Sequence, residues 1–139
     1  MKISYRGAQK KLAICWFIFA SIFFLVVVLQ TLFGKFGDNV SDVWSWLQSA
    51  LVPSLSLMIT IFVTNINTED DHQVDVFYFR LTFWISFVYL MILLAHILIE
   101  PFSSKTEIQI IKQSKVYIGT IQGIVSASLG LFFVKKEKS

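Results

Sequence analysis

Four long apolar stretches, residues 12–33, 43–64, 77–99 and 116–134, fill most of this chain and decide which solvent it folds in. Each is close to the roughly 20 residues that a helix needs to cross the hydrocarbon core of a bilayer. Lipid offers no water to backbone N–H and C=O groups, so a spanning segment must satisfy them internally, as a helix does. The expected fold class is all-α: a four-helix transmembrane bundle with small cytoplasmic and extracytoplasmic loops. The 139 residues make one integral membrane domain and leave no room for a separate soluble module.

Charge agrees with that class. Only 15% of residues are Asp, Glu, Lys or Arg, against about 25% in a soluble domain. The 14 phenylalanines suit surfaces that face acyl chains. The formal charge of +3 comes from residues at the span edges. They read as topology signals. A nucleic-acid patch would gather basic residues on an exposed surface, so no nucleic-acid partner is expected. Cys15 is the sole cysteine and lies in the first span, where it reads as a small buried hydrophobe. Lys2, Arg6, Lys10 and Lys11 look like the basic start of a signal peptide. The apolar run behind them is too long for one and no A-x-A-like site follows, so it reads as an uncleaved span.

Lysines and arginines near span ends set the orientation. Lys2, Arg6, Lys10, Lys11, Arg80, Lys135, Lys136 and Lys138 share one side, and Lys35, Lys105, Lys112 and Lys115 the other. This bias places both termini in the cytoplasm, in a multi-pass protein of the plasma or inner membrane. Connection 34–42 is short, so spans one and two are expected to be antiparallel neighbours. Asn39 or Ser41 is expected to cap the second helix, with Trp44 and Trp46 in the interfacial aromatic belt. Thr68 reads as a cap in the second connection. Pro101 ends span three. Ser104 and Glu107 have capping-box spacing, which starts helix four near Lys105.

Four constellations carry candidate chemistry. In span two, Ser45, Ser49, Pro53, Ser56, Thr60 and Thr64 recur at three- and four-residue steps and form one hydroxylated stripe, for a hydrated path or for close helix packing. In span three, Thr82, Ser86, Tyr89, Leu93, His96 and Glu100 share a face. His96 and Glu100 make an ionisable pair near the boundary. The second connection gathers Glu69, Asp70, Asp71, His72 and Asp75, a docking loop for a soluble cytoplasmic partner or a solvated helix start. It lacks the alternation and turn glycine of a calcium loop, so no metal is assigned. In span four, Gly119 and Gly123 form G-x-x-x-G, and Ala127 and Gly130 extend the small face. Such faces let helix backbones approach closely in lipid, which points to an oligomer interface.

No H-E-x-x-H, Gly-rich phosphate loop or G-x-S-x-G occurs, so no enzyme and no cofactor are expected. Small multidrug transporters share this size and span count, but their first-span glutamate has no counterpart in 12–33. The function expected is a homo-oligomeric pore, channel or membrane-perturbing effector in the lipid bilayer. The alternatives are a membrane-anchoring accessory subunit for a soluble partner and a small four-span transporter.

Overall fold

A computed structural model describes residues 1–64, 72–99 and 104–133. In chain order it holds a strand β1 (Lys2–Ser4), helix α1 (Tyr5–Leu32), a 3-10 turn (Gly37–Asn39), helix α2 (Val40–Thr64), strand β2 (Gln73–Asp75), helix α3 (Val76–Leu98) and helix α4 (Glu107–Phe133). All four helices are long and apolar enough to cross a membrane. The 28 residues of α1 give about 42 Å of helix. That exceeds the roughly 30 Å hydrocarbon core, and the excess includes its basic first turns, Arg6 to Lys11, which precede the apolar run.

Helix boundaries follow local chemistry. At the end of α1, Lys35 N–H donates to the Gln30 carbonyl and Gly34 N–H to the Thr31 carbonyl, both at 3.0 Å. Gly34 sits at φ +70°. This is a Schellman cap, which needs a left-handed residue that glycine supplies without strain. The chain then turns through the 3-10 segment directly into α2. Asn39 accepts from Lys112 Nζ at 3.2 Å; no side-chain cap of α2 by Asn39 or Ser41 is seen. Asp75 caps α3 by accepting from Phe77 N–H at 2.9 Å. The capping box of α4 lies two residues later than its sequence spacing predicted. Thr106 and Gln109 bond each other's backbone N–H at 3.4 and 3.2 Å, and Glu107 turns to another partner. Thr68 and Pro101 lie outside the described residues.

The helices stand at the corners of a square in the order α1, α2, α4, α3. Alternating direction makes α2 and α4 parallel neighbours. Between them Asp42 meets Lys112 and Lys115, Ser54 meets Gln122, and Phe62 meets Phe133. At the terminal end β1 pairs antiparallel with β2, with Ile3 opposite Val74. Tyr5 and Gln9 donate to the Phe132 carbonyl at the last turn of α4. These bonds tie both ends of the described chain together.

The interior is filled by Leu12, Trp16, Phe23, Leu47, Leu51, Met58, Tyr89, Leu93 and Leu129, all fully buried. In each span only 33–39% of the most apolar window is buried. The remainder is apolar surface such as Leu25, Val28, Val63, Trp84 and Ile124. In water such a surface would drive aggregation; in lipid it costs nothing, because acyl tails are as apolar as leucine.

Candidate functional site

Two kinds of polar or small feature stand out, one inside the bundle and one outside. The inner one is a seam along α3, whose Thr82, Ser86, Tyr89, Leu93 and His96 are all buried, in agreement with the shared face expected from their spacing. Each polar member reaches across to a neighbouring helix or is enclosed by it. Thr82 Oγ1 donates to the Ser128 carbonyl of α4 at 3.5 Å, a long contact. Tyr89 Oη donates to the Ala50 carbonyl of α2 at 3.0 Å. Its ring lies 6.0 Å from that of Trp16 on α1.

Level with this tyrosine, Gln122 Nε2 on α4 donates to Ser54 Oγ on α2 at 3.1 Å. Neither Gln122 nor Ser54 was singled out from sequence. A glutamine within an apolar run, next to the G-x-x-x-G, is the sequence signal for this contact. Among the described residues, four buried side-chain atoms on or facing the seam have no protein hydrogen-bond partner: Trp16 Nε1, Trp46 Nε1, Ser86 Oγ and Gln122 Oε1.

His96 closes the seam toward the end that carries the first and third connections. Its Nδ1 lies 2.6 Å from the Ile92 carbonyl, and Nε2 meets Tyr117 Oη. The Ile92 carbonyl is an acceptor only, so Nδ1 carries a proton and, in the neutral ring, Nε2 accepts from the phenol. Trp46 packs beside the imidazole at 6.2 Å. The proposed mate Glu100 lies outside the described residues. His72 stands at the other end of α3, where its carbonyl accepts from Tyr5 N–H. The two histidines therefore share no site.

The outer feature is the α2/α4 groove, the outward side of the line along which these two neighbouring helices meet. Ser45, Ser49, Pro53, Ser56, Thr60 and Thr64 are all exposed, so the span-two stripe faces out of the bundle. Three of its hydroxyls are already used. Ser49, Thr60 and Thr64 donate to the carbonyls four residues earlier at 2.7–2.9 Å. Such back-bonding lets a hydroxyl face lipid cheaply.

Gly119, Gly123 and Ala127 are also exposed, and Gly130 partly so. A Cβ added at Gly119 or Gly123 would meet no atom within 4 Å. The G-x-x-x-G face is therefore not used inside the bundle. Asp42 with Lys112 and Lys115, each pair at 3.4 Å, heads the groove. Ser45, Ser49, Ser56 and Thr60 descend from Asp42 on the same face of α2, and Gly119 and Gly123 descend from Lys112 on the same face of α4. Both stripes thus line one groove, a juxtaposition the sequence could not show.

Glu69, Asp70 and Asp71 of the expected docking loop lie outside the described residues; Asp75 serves as the α3 cap. No group of three or more His, Cys, Asp or Glu among the described residues is placed to hold a metal ion. No family model, curated protein or solved structure matches the chain.

Proposed function

We propose that this protein self-associates in the membrane through the α2/α4 groove and that a small cation passes between copies along the hydroxylated stripe of α2. The observation that carries this reading is the unused small-residue face at Gly119 and Gly123, side by side with the stripe and open to the outside. In lipid, close backbone approach is a main source of helix association. The groove offers that approach to another chain, since no neighbour within the bundle takes it.

The path lies between copies because the interior of one copy is plugged by Trp16, Phe23, Trp46 and Met58. A hydroxyl has one proton and two lone pairs. With the protons of Ser49 and Thr60 committed to their own helix, the stripe presents acceptors. Acceptors replace part of the hydration of a cation and not of an anion.

Both termini belong in the cytoplasm on this reading. Lys2, Lys10, Lys11 and Arg80 gather at the terminal end with Asp75 as the one described acid there. At the other end Lys35 pairs with Glu107, Lys112 and Lys115 share Asp42, and Lys105 donates to Gln113. A positive cytoplasmic side is the usual sign. The membrane is then the plasma or inner membrane.

Reconstitution in liposomes with single-channel recording tests the function. Wild type should carry cation current, and Ser56→Val with Thr60→Val should reduce it while particle mass stays the same. No wild-type flux at any membrane potential would overturn conduction and favour an anchoring subunit for a soluble partner.

A further inference from the structure

On the opposite side of the bundle from the α2/α4 groove, an open cleft of about 400 Å³ runs between α1 and α3. Its wall is Ile14 and Cys15 of α1 and Phe79 and Phe83 of α3, with Lys11 at the mouth. The rings continue inward: Phe79 lies 6.0 Å from Phe83, Phe83 lies 6.4 Å from Phe87, and Phe19 of α1 meets Phe87 edge-on at 6.2 Å. This makes an apolar ladder, one ring per turn, leading from the headgroup level toward the middle of the span.

Lys11 immediately precedes the first apolar stretch, so its ammonium sits where lipid phosphates sit. Its Nζ lies 6.0 Å from the centre of the Phe79 ring. No carboxylate pairs with it among the described residues. Exposed Arg80 follows Phe79 on α3 and likewise has no acidic partner among them. A fixed cation above a slot of apolar rings, within a positively charged end, matches one ligand chemistry in both charge and polarity.

We propose that this cleft binds an anionic phospholipid, with one acyl chain along Ile14, Cys15, Phe79 and Phe83 and the headgroup phosphate at Lys11. The site stands whether or not copies assemble, since it lies away from the α2/α4 groove.

The test is native mass spectrometry of the full chain in detergent, offered equal amounts of phosphatidylglycerol and phosphatidylcholine with the same acyl chains. Wild type should retain phosphatidylglycerol in preference. Lys11→Gln should lower that retention about five-fold, the effect of one basic side chain near anionic lipid. Lys10→Gln removes the same charge from a residue that does not line the cleft and should change retention far less. Cys15→Phe fills the slot and keeps both lysines, and it should also lower retention. Ile14→Trp, at a residue already 59% exposed, narrows the slot from its rim and serves if Cys15→Phe fails to fold. Equal losses from Lys10→Gln and Lys11→Gln would reduce the effect to a diffuse positive field and overturn the site. So would full retention in a folded slot-filling variant.

Discussion

The Glu107 carboxylate, in the first turn of α4, meets the Lys35 ammonium of the first connection at 2.6 Å, with the Glu107 side chain only 2% exposed. Gln30, in the last turn of α1, lies alongside. The pair fastens the start of α4 to the turn that joins α1 and α2. Removing one partner of a fully buried pair costs about 3–5 kcal/mol. Here the helix N-terminus also favours the carboxylate, and Lys35 is itself 36% exposed. Lys35→Ala should therefore cost less, about 1–3 kcal/mol, read as a lower thermal midpoint in detergent. Glu107→Gln, which keeps shape and removes the charge, should cost less than Lys35→Ala. The reverse order would mean that the carboxylate does not depend on Lys35.

Tyr117→Phe removes the phenol bonded to His96 Nε2 and leaves that buried ring nitrogen without its partner. The expected loss is about 1–2 kcal/mol, near the upper range for interhelical bonds in membranes. Thermal unfolding in detergent measures it. An unchanged midpoint would show that His96 finds another donor and that the pair does not hold α3 to α4.

Gln122→Leu has the opposite expectation. It removes one interhelical bond, about 0.6 kcal/mol on average in membranes. It also removes Oε1, a buried acceptor without a partner. The two effects have opposite signs, so stability should change by under about 1 kcal/mol. A larger loss would give Gln122 a structural weight that its contacts do not indicate.

The four spans were legible because their cause is local. Twenty apolar residues in a row need no knowledge of neighbours. The shared face of Thr82, Ser86, Tyr89 and His96 was legible for the same reason, since helical spacing sets it. What those residues touch was not legible, because Ala50, Ser54 and Tyr117 arrive from other helices. The outward direction of the Ser49 and Gly123 faces was likewise hidden. Close packing within a bundle and packing between chains use the same small residues. The pairing of Lys2–Ser4 with Gln73–Asp75 depends on contacts about 70 residues apart, which three-residue strands do not advertise. Ser104/Glu107 and Thr106/Gln109 both satisfy the capping-box spacing, and only the destination of Glu107 decides that the second one forms.

Orientation is checked by accessibility. A tag at either terminus should be unreachable from outside intact cells and become reachable on permeabilisation, as Lys2, Lys10, Lys11 and Arg80, which have no acidic partner among the described residues, imply. External labelling of either terminus would invert the topology.

Assembly through the α2/α4 groove is tested most directly by particle mass. Gly123→Leu places a bulky side chain where nothing lies within 4 Å, so the fold of one copy should survive. By light scattering in detergent, with the detergent contribution subtracted, wild type should be a multiple of 16.0 kDa. The variant should fall toward a single copy with its thermal midpoint unchanged. A wild-type particle of one chain, or a Gly123→Leu particle with the full wild-type mass, would contradict assembly through this face.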